Sequence, residues 1–472
     1  MEATTSPDAP ASPFLLDDRS TDAGIKFRLS VMMFLQYAIW GAWLPLLWPF
    51  LNGHRGFTPS QIGDMFAVGA LGAILAPFIA GQIADRYFST EKFLGVSHIL
   101  GGILVWQLAG ITTYGGFLAF SLLYSIIYSP TLSLTNSISF HHLRDRDRDF
   151  GKVRVWGTVG WIAVGIGIGH WLLRRYTPAG ADAATIAAAQ VAGMADAFRL
   201  SGLLGILMGL YCFTLPHTPP SKEKKSNASL KAMREVRRNP LLTLFLLAVP
   251  ISCIHQFYFV HTAGFLGAFQ LRSQEAAQTA ASINKIFGVG GGGLMTIGQI
   301  SELLVLAMIP FVAKTLSRKT LLAIGIAGYG IRMALFAYVD PINAATGIPH
   351  IAILMLGVAM HGLAFGCFIF VAFMVVDEET TPDVRASAQS LFNLVIVGIG
   401  IIVGSKIATG MAAWASETPV EGGPAAINFT KLFSVPMWAS VACLVILLIF
   451  YPNRRAATAK GLGHQPDAAA AA

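Results

Sequence analysis

Amide, carboxylate and imidazole side chains interrupt several otherwise apolar stretches of this chain at helical spacing. The run TIGQISELLVL, residues 296–306, carries Gln299 and Glu302 three positions apart, so both lie on one helix face. Polar groups inside an apolar span are costly in lipid and usually face a cavity or each other. A carboxylate in such a cavity can bind and release a proton, which makes Glu302 a candidate for proton-coupled chemistry.

Three further stripes combine polar and aromatic side chains at helical spacing. Their members are Arg154, Thr158 and Trp161; Gln256 and Phe259; and His361 and Phe365. Such a stripe can hydrogen-bond the edge of a small polar molecule and stack on its flat face. Together the stripes predict a binding site for a small polar, partly aromatic solute.

Simpler roles remain open for the same residues. Arg154 lies near the end of its predicted span and could extend its guanidinium to the membrane surface. Glu302 could pair with Arg332 and hold two helices together. His361 and the aromatic residues could serve in helix packing alone.

The elements that position these residues are membrane-spanning helices. The chain has 472 residues, of which 54% are hydrophobic and only 12% charged, and its mean hydropathy is +0.61. A soluble protein carries about 25% charged residues. This composition therefore predicts an all-α integral membrane protein.

Twelve stretches are long and apolar enough to cross the hydrocarbon core, which takes about 20 residues. They are residues 28–51, 60–83, 92–111, 114–139, 152–173, 198–215, 240–264, 287–313, 319–338, 348–376, 385–412 and 431–451. The fold class predicted is therefore twelve transmembrane helices in two six-helix halves.

Lysine and arginine define the orientation. With the N-terminus in the cytoplasm, most of the 33 Lys and Arg fall on the cytoplasmic side, as the positive-inside rule requires. The richest segments are RDRDRDFGKVR (144–154) and SKEKKSNASLKAMREVRR (221–238). The net charge of +8 thus reflects topology, and no nucleic-acid partner is expected because these loops are short and lack interleaved aromatic residues.

The second basic segment divides the chain. We predict a cytoplasmic N-terminal tail, an N-terminal six-helix bundle, a cytoplasmic basic linker, a C-terminal six-helix bundle and a disordered cytoplasmic tail; their bounds are 1–27, 28–215, 216–239, 240–451 and 452–472. Six plus six spans around a charged loop resembles the major facilitator transporters. The segment GQIADRYFSTEK (81–92) resembles their G-x-x-x-D-R loop, which assigns Gly81, Asp85 and Arg86 to a conformational loop.

More of the sequence resembles one branch of that superfamily, the bacterial nucleoside:H+ symporters. The resemblance covers nearly all the spans and is carried by FLQYAIWGAWL (34–44), SPTLSLTNSISF (129–140), VRVWGTVGW (153–161), LPH (215–217), GQISELL (298–304), RMALFAYVDP (332–341) and VRASAQSLF (384–392). It implies a multi-pass protein of the bacterial inner membrane with both termini cytoplasmic. It also implies a monomer that carries nucleoside-like molecules and protons.

The resemblance also assigns site residues. It places Arg154, Thr158 and Trp161 on the N-terminal side of a mid-membrane cavity, and Gln256, Gln299 and Glu302 on the C-terminal side. Several positions depart from the family pattern: Trp161 replaces a phenylalanine, Phe259 an asparagine, and His361, Gly366 and Ile369 replace a tyrosine, an aspartate and an asparagine. Either other groups such as His361 substitute for these contacts, or the substrate differs.

The predicted function is proton-coupled nucleoside import by alternating access, with Glu302 as the coupling carboxylate. Two alternatives stay open: a uniporter or permease of this fold for another small polar solute, and a membrane receptor that binds without transport. The sequence contains no nucleophile–base pair, metal-ligand spacing or cofactor fingerprint. We therefore expect no enzymatic activity, no metal and no cofactor.

Overall fold

Long helices account for most of the structure. The computed structural model describes residues 22–79, 88–219, 233–270, 274–289, 292–381, 384–417 and 426–452. The predicted conformational loop, Gly81, Asp85 and Arg86, lies outside the described residues. The linker 216–239 and both predicted tails are described only in part.

Seven helices lie in the described part of the N-terminal half, defined here as residues 22–219. They are α1 (Ala23–Trp43), α2 (Pro59–Ile79), α3 (Thr90–Leu108), α4 (Tyr114–His142), α5 (Arg146–Arg175), α6 (Ala183–Gly193) and α7 (Ala195–Cys212). The first span continues beyond α1 through a 3-10 turn (Leu44–Leu46), a short α turn (Leu47–Pro49) and a π-helical turn (Phe50–His54).

Besides a single helical turn at residues 233–236, the described residues of the C-terminal half, residues 233–452, contain ten α-helices and two short antiparallel strands. These are α8 (Leu241–Gln270), α9 (Gln274–Phe287), α10 (Gly292–Val312), α11 (Arg318–Ala337), α12 (Val339–Thr346), α13 (His350–Ala364), α14 (Val371–Glu378), α15 (Arg385–Asn393), α16 (Gly400–Ala415), α17 (Phe429–Phe450), β1 (Ser416–Glu417) and β2 (Ala426–Ile427). Two π-helical segments, Phe365–Phe370 and Leu394–Ile399, join α13 to α14 and α15 to α16.

Ten helical segments of the described chain are long and apolar enough to cross a membrane. They match ten of the twelve predicted spans in order. At the two other predicted positions, 60–83 and 92–111, lie α2 and α3. Polar residues such as Glu91 and Lys92 in the first turn of α3 lower its apolar character, so the count of twelve spans stays a prediction.

One predicted boundary is wrong. The span predicted to begin at residue 287 begins at Gly292 with α10, because Phe287 is the last residue of α9 and Gly288 after it has φ +83°. Glycine adopts this left-handed conformation without strain, so the glycine-rich run ends one helix before the next begins. Between α5 and α7 lies α6, whose cap Asp182 accepts a hydrogen bond from the Thr185 N–H.

Glycine lets α3 and α7 approach each other closely. A Cβ atom built on Gly102 would lie 2.7 Å from the carbonyl oxygen of Gly202, and one on Gly202 would lie 2.8 Å from the carbonyl oxygen of Gly102. Small residues at membrane helix contacts allow this approach, since van der Waals packing is a main force between helices in lipid.

We expect Gly102→Val to destabilise the protein by about 1–3 kcal/mol, because overpacking must push α3 away from α7. The measurement is thermal unfolding of the purified protein in detergent. Gly101→Ala is the matched control, since a Cβ atom there meets only Tyr124, at an ordinary 3.6 Å. Equal unfolding temperatures for the two variants would contradict the close contact.

Several contacts between the two halves lie at one end of the bundle. Lys26 at the start of α1 pairs with Asp149 at the start of α5, at 2.6 Å, so the last turns of α5 reach the opposite end, called here the far end. There the Val289 N–H donates to the Gly169 carbonyl at 3.1 Å, and a Cβ on Gly169 would lie 2.9 Å from the Gly288 Cα. This contact joins backbone to backbone across the halves.

Two side-chain pairs add to the contact between the halves. The rings of Trp48 and His261 pack edge to face, with centroids 4.7 Å apart. Asp64 of α2 forms an ion pair with Lys406 of α16. The far end is therefore closed by backbone, aromatic and ionic contacts.

Candidate functional site

Three ionisable side chains form a chain of contacts inside the C-terminal half. Glu302 Oε2 of α10 lies 3.5 Å from His361 Nε2 of α13. On the other side of the ring, His361 Nδ1 is hydrogen-bonded to Arg332 Nη1 of α11 at 3.1 Å. The sequence left open a direct pair between Glu302 and Arg332. In the structure, His361 lies between them.

Burial differs along this chain of contacts. The side chain of Glu302 is 15% exposed, that of His361 2%, and Arg332 is fully buried. The guanidinium of Arg332 lies 4.3 Å above the ring of Tyr258 and 5.0 Å above that of Tyr329. These cation–π contacts stabilise a charge that is removed from water.

Aromatic rings surround His361. Tyr258 and Phe365 stack on it with ring centroids at 4.7 and 6.1 Å, and Phe259 meets it edge-on at 6.0 Å. His255 is 5.5 Å away, and its Nδ1 is hydrogen-bonded to the Tyr329 hydroxyl at 2.8 Å. The structure thus brings the predicted residues Phe259, His361 and Phe365 into one cluster with Glu302.

Arg154 connects the two halves electrostatically. Its guanidinium lies 4.0 Å above the ring of Tyr37 on α1, and its charge interacts with the carboxylate of Glu302 on α10. The guanidinium of Arg154 therefore has a cation–π partner in its own half and acts electrostatically on an acid of the other half.

The other two members of the α5 stripe are half-buried. Trp161 packs its ring where a Cβ on Gly41 would sit, at 2.9 Å, and its centroid is 6.5 Å from that of Trp40. Thr158 lies one turn before it on the same helix face. Trp161 therefore has one face fixed against α1, which limits the directions from which a ligand can stack on it.

The two glutamines are buried on different helices. Gln299 is 5% exposed, and its Oε1 has no hydrogen-bond partner among the described residues. Gln256 is 4% exposed and packs beside Gly404 of α16, where a Cβ would lie 3.0 Å from its Cγ. Buried amide oxygens are normally hydrogen-bonded, so Gln299 has capacity for a ligand or water.

Gly366 explains one departure from the family pattern. A Cβ atom on Gly366 would lie 2.7 Å from Val305 Cγ1 of α10. The aspartate that the resemblance places here would therefore require the side chain of Val305 to move. Glu302 is therefore the predicted site carboxylate that the structure places in this cluster.

The sequence reasoning missed His255, Tyr258 and Tyr329, and treated Arg332 only as a possible ion-pair partner. A helical pattern was available for each. His255, Tyr258 and Phe259 follow i, i+3, i+4 spacing on α8, and Tyr329 and Arg332 are three residues apart on α11. On α8, the sequence signal was that His255 and Tyr258 lie next to the predicted site residue Phe259 at helical spacing.

Known proteins resemble the chain over most of its length. A sequence model of the family described as Nucleoside H+ symporter matches residues 23–456. YegT of Escherichia coli (strain K12) is 32% identical over 90% of this chain and 93% of its own length. The xanthosine permease of the same organism is 29% identical over 82% of this chain and 88% of its own.

A solved structure agrees with the fold. The crystal structure of a mutant of the nucleoside transporter NupG has a TM-score of 0.76 to this chain at 25% sequence identity. The match covers 90% of this chain and 99% of the other. It places the chain among all-α membrane transporters of the major facilitator type.

Proposed function

The chain belongs to the nucleoside H+ symporter family, and from this premise we propose that it imports nucleosides together with protons across the bacterial inner membrane. The relatives named above are a xanthosine permease and a nucleoside transporter. The family consists of transporters, so the protein is not an enzyme. We further propose that it acts as a monomer with both termini in the cytoplasm.

The position of Glu302 is the observation that carries this proposal. The carboxylate is mostly buried, contacts His361 in its own half and interacts with the charge of Arg154 in the other half. An ionisable group inside a membrane span costs free energy, and such groups usually mark a pathway for a substrate, an ion or a proton. In our proposal, Glu302 binds a proton on one side of the membrane and releases it on the other.

Nucleoside recognition is assigned to the side chains around Glu302. The amides of Gln256 and Gln299 would hydrogen-bond the base or ribose, and the free Oε1 of Gln299 supports this role. Arg154 would bond a carbonyl or hydroxyl group, and Trp161 would stack on the base. His361 and Phe365 would line the site with their rings, because the ring nitrogens of His361 contact Arg332 and Glu302. Phe259, Gly366 and Ile369 offer no polar group.

The closed far end supports alternating access. With both termini cytoplasmic, the far end faces outward, and its contacts, Gly169 with Val289 and Asp64 with Lys406, close the site from outside. Import then requires these contacts to open and the opposite end to close, a rocking of the halves about a central site. Gly81, Asp85 and Arg86 would act in the loop between α2 and α3 during that change.

The test is uptake of labelled uridine, adenosine and xanthosine by transport-deficient cells that express the chain, with and without a protonophore. We expect at least one nucleoside to accumulate and the protonophore to remove the accumulation. Uptake that ignores the protonophore would favour the uniporter. Binding of a nucleoside by the purified protein without any flux would favour the receptor.

A further inference from the structure

Arg332 determines which atom donates in its hydrogen bond with His361. A guanidinium carries five N–H donors, accepts no hydrogen bond and stays protonated in proteins. The 3.1 Å contact between Arg332 Nη1 and His361 Nδ1 therefore requires a lone pair on Nδ1. A neutral imidazole that accepts through Nδ1 carries its proton on Nε2.

The same ring then points its N–H at the carboxylate. His361 Nε2 faces Glu302 Oε2 at 3.5 Å, a distance that a small adjustment would turn into a charge-assisted hydrogen bond. If the ring were to take a second proton, that proton would have to sit on Nδ1 and break the contact with Arg332. Two cationic groups would then face each other in a buried place.

We propose that Arg332 is a positioning residue that holds His361 neutral, with its proton on Nε2, so that Glu302 alone takes and releases the transported proton. The proposal rests on the proposed function, because it assumes that Glu302 is the coupling group. It adds that the histidine beside this acid is a fixed donor and carries no proton itself.

The surroundings of His361 agree with a neutral ring. The ionisable groups that face it are Glu302 from α10, Arg332 and Tyr329 from α11, and His255 and Tyr258 from α8. Across the halves, Arg154 of α5 acts on Glu302. Lys285 of α9 is exposed, and Asp340 of α12 pairs with His350 at the opposite end of α13.

Tautomers can be read directly by nitrogen NMR. The full-length protein is labelled with 15N-histidine, placed in lipid nanodiscs and titrated from about pH 5 to pH 8, the range in which an ordinary histidine changes charge. The signals of His361 are identified by their loss in His361→Gln. We expect one protonated Nε2 and one unprotonated Nδ1 throughout. A ring with its proton on Nδ1, or one that becomes an imidazolium in this range, would overturn the proposal.

Variants of the arginine separate positioning from general structure. Arg332→Met removes the donor, and we expect His361 to take up a proton within the same pH range. Arg332→Lys keeps a cationic donor and should restore the neutral ring. Tyr329→Phe is the matched control, because it removes a buried hydrogen bond to His255 without touching Nδ1, and it should leave the His361 signals in place.

These readouts need no substrate, so they distinguish the two proposals. If nucleosides are not transported but His361 titrates only in Arg332→Met, the proposed function fails and the role of Arg332 holds. If nucleoside uptake is proton-driven but Arg332→Met and the unchanged protein give the same His361 signals, the role of Arg332 fails alone.

Discussion

Replacing Glu302 with glutamine is expected to reduce nucleoside accumulation to equilibration with the outside concentration. Glutamine keeps the size of the side chain and its ability to accept a hydrogen bond, but it cannot bind and release a proton. The protein can still switch between its outward-open and inward-open forms with substrate bound, because the neutral amide of glutamine resembles the protonated acid. Exchange of external labelled for internal unlabelled nucleoside should therefore continue at a rate close to that of the unchanged protein.

Both rates can be measured in proteoliposomes with an imposed proton gradient. Glu378→Gln is the matched control, because Glu378 pairs with Arg318 at 2.6 Å and its side chain is 43% exposed. An exposed ion pair contributes little to stability, so this variant should still accumulate substrate. Continued accumulation by Glu302→Gln would remove Glu302 from the coupling step and direct the search to another group.

Replacing Gly169 with valine is expected to hold the far end open. A Cβ atom on Gly169 would lie 2.9 Å from the Gly288 Cα and 3.1 Å from the Phe287 carbonyl oxygen, and backbone atoms cannot rotate out of the way. Overpacking of this kind costs about 1–3 kcal/mol. A change of that size lowers the equilibrium ratio of closed to open form about 5- to 150-fold.

Net uptake should fall by a comparable factor, while nucleoside binding to the purified protein is retained. Gly167→Val is the matched control, since Gly167 lies on the same helix and a Cβ there meets nothing within 4 Å. It should transport normally. If Gly169→Val transports as well as Gly167→Val, the contact at Gly169 is not part of the transport cycle.

Much of this architecture follows from the sequence because lipid makes local composition decisive. A span must be apolar for about 20 residues, so ten helical segments appear where the runs predicted them. A boundary failed where composition was ambiguous. The glycines that follow Gly288 are compatible with the start of a span, so the predicted start at 287 lies five residues before the start of α10 at Gly292.

The candidate site was predictable only along each helix. The stripe that contains Glu302 is visible in the sequence, because Gln299 and Glu302 are three residues apart and share one helix face. The bridge from Glu302 through His361 to Arg332 joins three helices, and pairing between helices is information that one unaligned sequence does not contain. The same holds for Gly366, where the shape of Val305 on a neighbouring helix decides which side chain can fit.

The π-helical segments Phe365–Phe370 and Leu394–Ile399 are places where two of the spans can rearrange their backbone hydrogen bonds. A π turn holds about one residue more than an α turn, so when it moves along the helix the residues that it passes rotate about the helix axis by about 100°. Backbone hydrogen bonds change partner during this rotation but are not left open to lipid, where exposed groups would be costly. Side chains of the residues that a π turn passes can therefore change the direction in which they face while the helix stays continuous.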